Sequence, residues 1–257
     1  MIPTFGNLFK RALAPYHKFP KLIAGFVALM FLPVLFIGMT KFSLDLIGLV
    51  YGTLSFNSLL WIIGSILVSL ASLWVTLAYM KALADIDSGK MPEKIRTYLK
   101  KTREMILPAF GLTIVVSLIV AGGFILLIIP GVIFSVWFVF TLQARVIDQK
   151  KGTSALAQSK SLVTGNWWEV FGRIVLATIV VTVCMSIVEA IFNSFFPGDL
   201  NLLTFQTLTV LSFIITILTA AVQAVFTPFA SAIPTIMYLD LKKGKPVETD
   251  PIASLVK

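Results

Sequence analysis

One histidine, one cysteine and a shortage of negative charge remove whole classes of chemistry from this chain before any motif is weighed. His17 stands alone, so neither a histidine-rich metal site nor a Ser-His-Asp triad can be assembled. Cys184 has no second cysteine to meet and lies in an apolar run, which excludes a disulfide framework and reads as a small buried hydrophobe. No Gly-rich phosphate loop occurs; Gly122-Gly123 falls inside an apolar run and suits close helix packing. Charged residues are only 13% of the 257, against roughly 25% in soluble domains. No cofactor, metal or catalytic residue is therefore expected.

Apolar sequence is what the chain has in abundance: 58% of residues are hydrophobic and the mean hydropathy is +0.95. A spanning helix needs about 20 mainly apolar residues, because the hydrocarbon layer is about 30 Å thick and each helical residue rises about 1.5 Å. Six runs qualify: Leu22–Thr40, Leu59–Met80, Leu107–Ile129, Val132–Ile147, Ile174–Phe195 and Leu208–Tyr238. The fourth is short and is expected to gain length from Gln143 and Arg145 snorkelling to the surface. The sixth is long, and Pro228 and Pro234 are expected to kink it or turn its end along the interface. Helix-length runs without the alternation of a barrel predict an all-α polytopic membrane protein, with six transmembrane helices arranged as three hairpins in a single domain.

Positive charge sets the orientation, since Lys and Arg are retained on the cytoplasmic side. Four of the 21 precede Leu22, seven lie between Met80 and Ile106, five between Arg145 and Arg173 and four follow Leu241, which leaves only Lys41 on the opposite side. The expectation is a cell-membrane protein with both termini cytoplasmic. The same asymmetry accounts for the net charge of +9 without any nucleic-acid partner. The basic stretch ahead of the first run has no small-residue cleavage site after that run and does not read as a cleavable signal.

Basic amphipathic interfacial helices are expected before the odd-numbered spans. The first places Phe5, Leu8, Phe9, Ala12 and Leu13 at helical spacing with Lys10 and Arg11 opposite, and Pro15 is expected to end it. Phe42 to Phe56 reads as an outer-surface helix or re-entrant piece. From Pro92, a first-turn proline, Ile95, Tyr98, Leu99, Thr102 and Ile106 fill an arc of about 100° on a helical wheel. Lys94, Arg96, Lys100, Lys101 and Arg103 lie outside that arc, where they are candidate contacts for anionic lipid head groups or simply an orientation signal. Beyond Gly152 a third such segment ends at Gly165. Asn166 and Glu169 then have capping-box spacing, and Trp167-Trp168 mark the head-group level.

The even-numbered spans end alike, with Asp85 and Gly89, Asp148 and Gly152, and Asp240 and Gly244 at one spacing. Two explanations stand: an internal triplication over residues 1–90, 91–152 and 153–245, or a helix-ending chemistry used three times. An Asp near a helix C-terminus opposes the helix dipole, so each is expected to pair with the following Lys or the next helix's N–H groups.

Several of these features together resemble a known family. The Ile128 to Val132 turn, Ala144 through Asp148, Gly152 through Leu156, Ser161-Leu162-Val163, Gly165-Asn166-Trp167-Trp168 and the terminal Pro, Tyr and Asp are similar to the membrane domain of some glycerophosphoryl diester phosphodiesterases. Related stand-alone six-span proteins of bacteria and archaea share the pattern. The resemblance covers Leu107 to Lys245, and the first two spans only by hydropathy. It implies a membrane fold and no activity, because in those phosphodiesterases catalysis belongs to a soluble barrel domain with no counterpart in this sequence.

Three functional classes follow. The favoured one is a non-catalytic membrane protein, a scaffold engaging lipid or an unidentified protein partner through its basic helices. A transporter or channel for a small molecule or lipid would use a cavity near Glu189, which lies roughly 22 Å into the fifth run with Asn193 one turn on and Gln223 on the sixth span as a hydrogen-bond partner. An intramembrane enzyme would bring Asp85, Asp148 or Asp240 within reach of one another in a cleft.

Overall fold

The computed structural model describes residues 5–51, 55–194 and 205–244; within these, the side chains at 34, 37–51, 55–61, 189, 192, 193, 205–212, 215 and 216 lie outside the description. The chain order is α1 (Phe5–Lys18), α2 (Pro20–Tyr51), α3 (Ser55–Asp87), α4 (Ile95–Thr102), a 3-10 turn (Arg103–Met105), α5 (Ile106–Leu126), α6 (Ile128–Trp137), α7 (Thr141–Ile147), α8 (Thr153–Val163), α9 (Trp167–Ser194) and α10 (Phe205–Gly244). No strand occurs among the described residues.

Among the described residues five stretches are long and apolar enough to cross a membrane: Ile62–Asp87, Ile95–Leu126, Ile128–Ile147, Trp167–Val188 and Ile217–Gly244. Pro20–Pro33 is apolar but shorter. The expected first run, Leu22–Thr40, falls on α2, most of whose side chains beyond Phe36 are outside the description. The end expected for the fifth span at Phe196-Pro197-Gly198 is likewise outside the described residues.

Several local expectations are corrected. Pro15 does not end α1, which runs on to Lys18 with Pro15 buried. A proline forfeits its N–H bond and crowds the carbonyl four residues back, which α1 accommodates at Pro15, and the break comes instead at Phe19, where Pro20 opens α2. Phe42 to Tyr51 continues α2 and forms no separate helix. Apart from these corrections, helix α10 is helical through both Pro228 and Pro234. Tyr16 donates its hydroxyl hydrogen to the Val225 carbonyl at 2.8 Å, one residue beyond the Ala224 carbonyl that Pro228 cannot serve. No non-helical residue separates α4, the 3-10 turn and α5.

The turn between α5 and α6 falls three residues before the Pro-Gly pair. Leu127 alone is extended, with φ −164° and ψ 152°. Pro130 sits in the first turn of α6, where a missing N–H costs nothing to the helix. Gly131 serves packing: a Cβ there would come within 2.4 Å of the Phe124 ring. A Cβ on Gly123 would lie 2.9 Å from the Gly131 Cα, whereas one on Gly122 would meet nothing within 4 Å. The two helices approach through Gly123 and Gly131, so only half of the Gly122-Gly123 pair does the close packing.

Gln143 and Arg145 do not snorkel. They are only 2% and 8% exposed, because α3, α5 and α8 close over α7. Arg145 uses Nη1 to donate to the Lys150 carbonyl at 3.3 Å. The break between α6 and α7 is also held from inside. The Phe140 N–H donates to the Ser159 hydroxyl at 3.0 Å, and that hydroxyl donates to the Trp137 carbonyl at 2.7 Å. Irregular backbone inside an apolar layer survives where protein supplies its partners.

Helix α10 is the hub, touching α1, α2, α3, α8 and α9, with its longest contact along α2. Buried Ala220, Ala224 and Ala232 keep its contact surface small-sided, while Phe229, Ile233, Met237 and Tyr238 fill the core. Edge-on aromatic pairs tie in the neighbours, Phe9 to Phe229 at 4.8 Å and Phe26 to Tyr79 at 5.4 Å.

Gly123→Ala is expected to cost about 1–3 kcal/mol by overpacking the contact between α5 and α6, with Gly122→Ala neutral or slightly stabilising. Thermal unfolding in detergent, followed by circular dichroism, reads the difference; equal melting of the two variants would contradict the packing described.

Candidate functional site

The charged residues left at one end of the bundle are gathered by α10. Its last two turns carry Tyr238, Asp240, Lys242 and Lys243, spaced so that they fan toward different neighbours. Arg11 of α1 bridges two carboxylates, donating from Nη1 to Asp240 at 2.7 Å and from Nη2 to Asp87 at the end of α3. Lys243 adds a second cation to Asp87 at 2.8 Å. Asp148, following α7, accepts from the Tyr238 hydroxyl at 2.7 Å, from Gln158 Nε2 at 3.0 Å and from Lys242. Three carboxylates face three cations, so the cluster is neutral. Burial by itself lowers the Arg11 pKa, but the bonds to Asp240 and Asp87 outweigh it and hold the guanidinium above its ordinary value.

This arrangement answers the question raised by the repeated aspartates. Asp85 lies in the field of the Tyr98 hydroxyl and Lys101 on α4. Asp148 is bonded to Gln158 on α8, and Asp240 to Arg11 on α1. Each is thus met by the short helix that follows it in the chain, and the last by the first. For Asp148 and Asp240 the partners are side chains of other helices and not the adjacent lysine, and Lys242 and Lys243 reach across to Asp148 and Asp87. Gly89 adopts positive φ, +79°, just past the end of α3 as a helix-terminating glycine does, whereas Gly152, at φ +51° and ψ −128°, is the N-cap of α8, and the positive-φ residue directly after α7 is Gln149 at +56°. Gly244 is the last residue of α10. The aspartates sit differently relative to their helix ends, Asp85 inside α3, Asp148 just beyond α7 and Asp240 one turn before the end of α10.

On α4, Tyr98 and Thr102 are buried while Lys94, Arg96, Lys100, Lys101 and Arg103 are exposed. Lys101 is bidentate to Glu93 at 2.8 and 2.9 Å. Glu169 pairs with Arg173 at 3.1 Å, one turn along α9. Trp168 is 77% exposed at the start of that helix, and Trp167 stacks on Phe171.

Glu189 and Asn193 belong to α9, but their side chains lie outside the description. Gln223 is exposed on α10, with its carbonyl accepting from Thr227. The carboxylates of Asp148 and Asp240 are occupied by their partners, and no trio of His, Cys, Asp and Glu able to hold a metal occurs among the described residues. Sequence reasoning missed Arg11 and Asp87, the two residues that close the cluster. Arg11 was visible beside Lys10 on the polar side of an amphipathic helix, but nothing in the spacing pointed it at the far end of the chain.

These residues define an all-helical chain with five stretches long and apolar enough to cross a membrane and a neutral ionic cluster joining its helix ends. Residues 99–241 match the model of a domain of unknown function, DUF7847, and the chain belongs to that family. The match begins on α4 and ends on α10, and it brings no link to the phosphodiesterase membrane domain. No curated protein and no solved structure matches the chain.

Asp148→Ala is expected to destabilise the protein by about 1–3 kcal/mol, because the Tyr238 hydroxyl, in a fully buried residue, loses its carboxylate. Lys242→Ala removes only a half-exposed partner and is expected to cost about 0–1 kcal/mol. Melting temperatures of the two variants in detergent test the order, and a larger loss for Lys242→Ala would overturn it.

Proposed function

We propose that the chain is a multi-pass integral membrane protein without a catalytic site, and that it acts as a scaffold whose cationic, cytoplasmic end engages anionic lipid head groups. One observation carries this: large apolar side chains are exposed along whole helices, among them Leu118 at 67% and Ile125 at 84% on α5 and Ile187 at 54% on α9. Surface of that kind and extent needs a lipid or protein cover. Cations collect at the other pole of the same helices. Arg96, Lys100 and Arg103 are exposed without an ion-pair partner among the described residues and recur at i, i+4 and i+7 on one stripe.

The one-sided charge supports both termini being cytoplasmic in a cell membrane. The ring of aspartates, each met by the next short helix and the last by the first, supports three copies of one unit. The similarity to phosphodiesterase membrane domains supports an accessory membrane role and no phosphodiester chemistry.

Each cation near an anionic surface contributes about 1 kcal/mol, weakening as salt rises. In nanodiscs of mixed phosphatidylglycerol and phosphatidylcholine, the wild type is expected to concentrate the anionic lipid around itself. The triple variant Arg96→Gln, Lys100→Gln, Arg103→Gln is expected to lose most of that enrichment. Equal enrichment by both proteins would remove the lipid reading, and solute flux abolished by Glu189→Gln would replace it with transport.

A further inference from the structure

We infer that the elbow between α1 and α2, walled on its far side by the start of α4, is a binding site for the phosphate group of an anionic glycerophospholipid. A cavity of about 600 Å³ opens there, with Lys18, Lys21 and Lys94 around it and Phe19, Leu22 and Ile95 providing apolar lining. Elsewhere at this end of the bundle Arg11, Lys242 and Lys243 are matched by acids. The three lysines of the elbow have no ion-pair partner among the described residues. The single acid in the lining, Glu93, is already held by Lys101 through both carboxylate oxygens. A shallow, open groove lined by three lysines without acid partners calls for an anion.

The walls of the site are fixed. The Glu93 N–H donates to the Tyr98 hydroxyl at 3.1 Å and Trp74 Nε1 donates to the Leu99 carbonyl at 2.9 Å, which together set the start of α4 against α3. Gly25 lets α2 close on Ile95, since any Cβ would fall 2.2 Å from Ile95 Cδ1. Lys94 caps α4 without a side-chain bond, and within the first turn the Thr97 N–H already donates to the Lys94 carbonyl at 2.9 Å, which leaves Ile95 and Arg96 as the first-turn residues without a side-chain cap. Lysines act as mobile point charges, which suits a phosphate diester presented at variable angle. The apolar lining favours a lipid over a soluble phosphate, because Leu22 and Ile95 can meet the glycerol and the first acyl methylenes.

The inference rests on the lipid-engaging reading and is tested separately from it. Native mass spectrometry of the full chain in detergent, titrated with phosphatidylglycerol, is expected to show one lipid held more tightly than the rest. The variant Lys18→Gln, Lys21→Gln, Lys94→Gln is expected to weaken that first lipid on the order of a hundredfold, about fivefold per charge. The three corresponding Lys→Arg changes are expected to restore it, and circular dichroism checks that each variant is folded. The α4 variant Arg96→Gln, Lys100→Gln, Arg103→Gln is expected to leave the first lipid in place. Loss of the first lipid in the α4 variant but not in the elbow variant would overturn the site while leaving the lipid reading intact. Calorimetry with glycerol 3-phosphate provides the soluble arm. Tight, elbow-dependent binding of that compound without lipid retention would overturn the lipid assignment, and binding of neither ligand would overturn the site altogether.

Discussion

Arg11 fastens the beginning of the chain to its end. By donating to Asp240 and Asp87 together, it pins α1 to the final turns of α10 and to the end of α3. The remaining helix ends follow from that clasp, because Lys243 shares Asp87 while Lys242 and Tyr238 draw the α7–α8 junction to α10 through Asp148. Arg11 is about a third exposed, so the individual bridges contribute about 1 kcal/mol or less each. Their value is positional: apolar helices slide past one another at little cost, and a set of directed ionic bonds fixes their register.

Between the helix ends the packing is governed by size. Side chains as large as Leu are as content against lipid as against a neighbour, so close contact depends on small residues and on satisfied backbone. Gly123 and Gly131 let α5 and α6 meet backbone to backbone. Ser159 supplies the hydrogen bonds that the α6–α7 break cannot make for itself. The same logic explains why Arg145 stays buried: with α8 folded over it, the nearby Lys150 carbonyl is within reach and the surface is not.

The candidate site was only partly legible beforehand. Asp85, Asp148 and Asp240 stood out because their spacing to a glycine repeats, and their position against the helix dipole required partners. The partners themselves were hidden, since Arg11 and Asp240 are 229 residues apart in sequence and Tyr238 and Asp148 are 90. Local pattern also misled at Pro15. Pro15 lies within α1 with its ring buried, and that burial offsets the lost bond. The Pro-Gly pair marked the central turn to within three residues, because Pro130 is tolerated in a first helical turn and the break settled at Leu127.

The sequence by itself determined the class of structure: long apolar runs leave the backbone no partners but its own, so helices follow, and their lengths and charged flanks mark where they start and stop. The tertiary structure alone decided which charges are spent and which are free. Arg11, Lys242 and Lys243 are matched to acids on other helices, while Lys18, Lys21 and Lys94 are left around an open elbow. Periodicity along one helix carries no information about which distant helix end will lie beside it, and that adjacency is what separates a cation holding the fold from one available to a ligand.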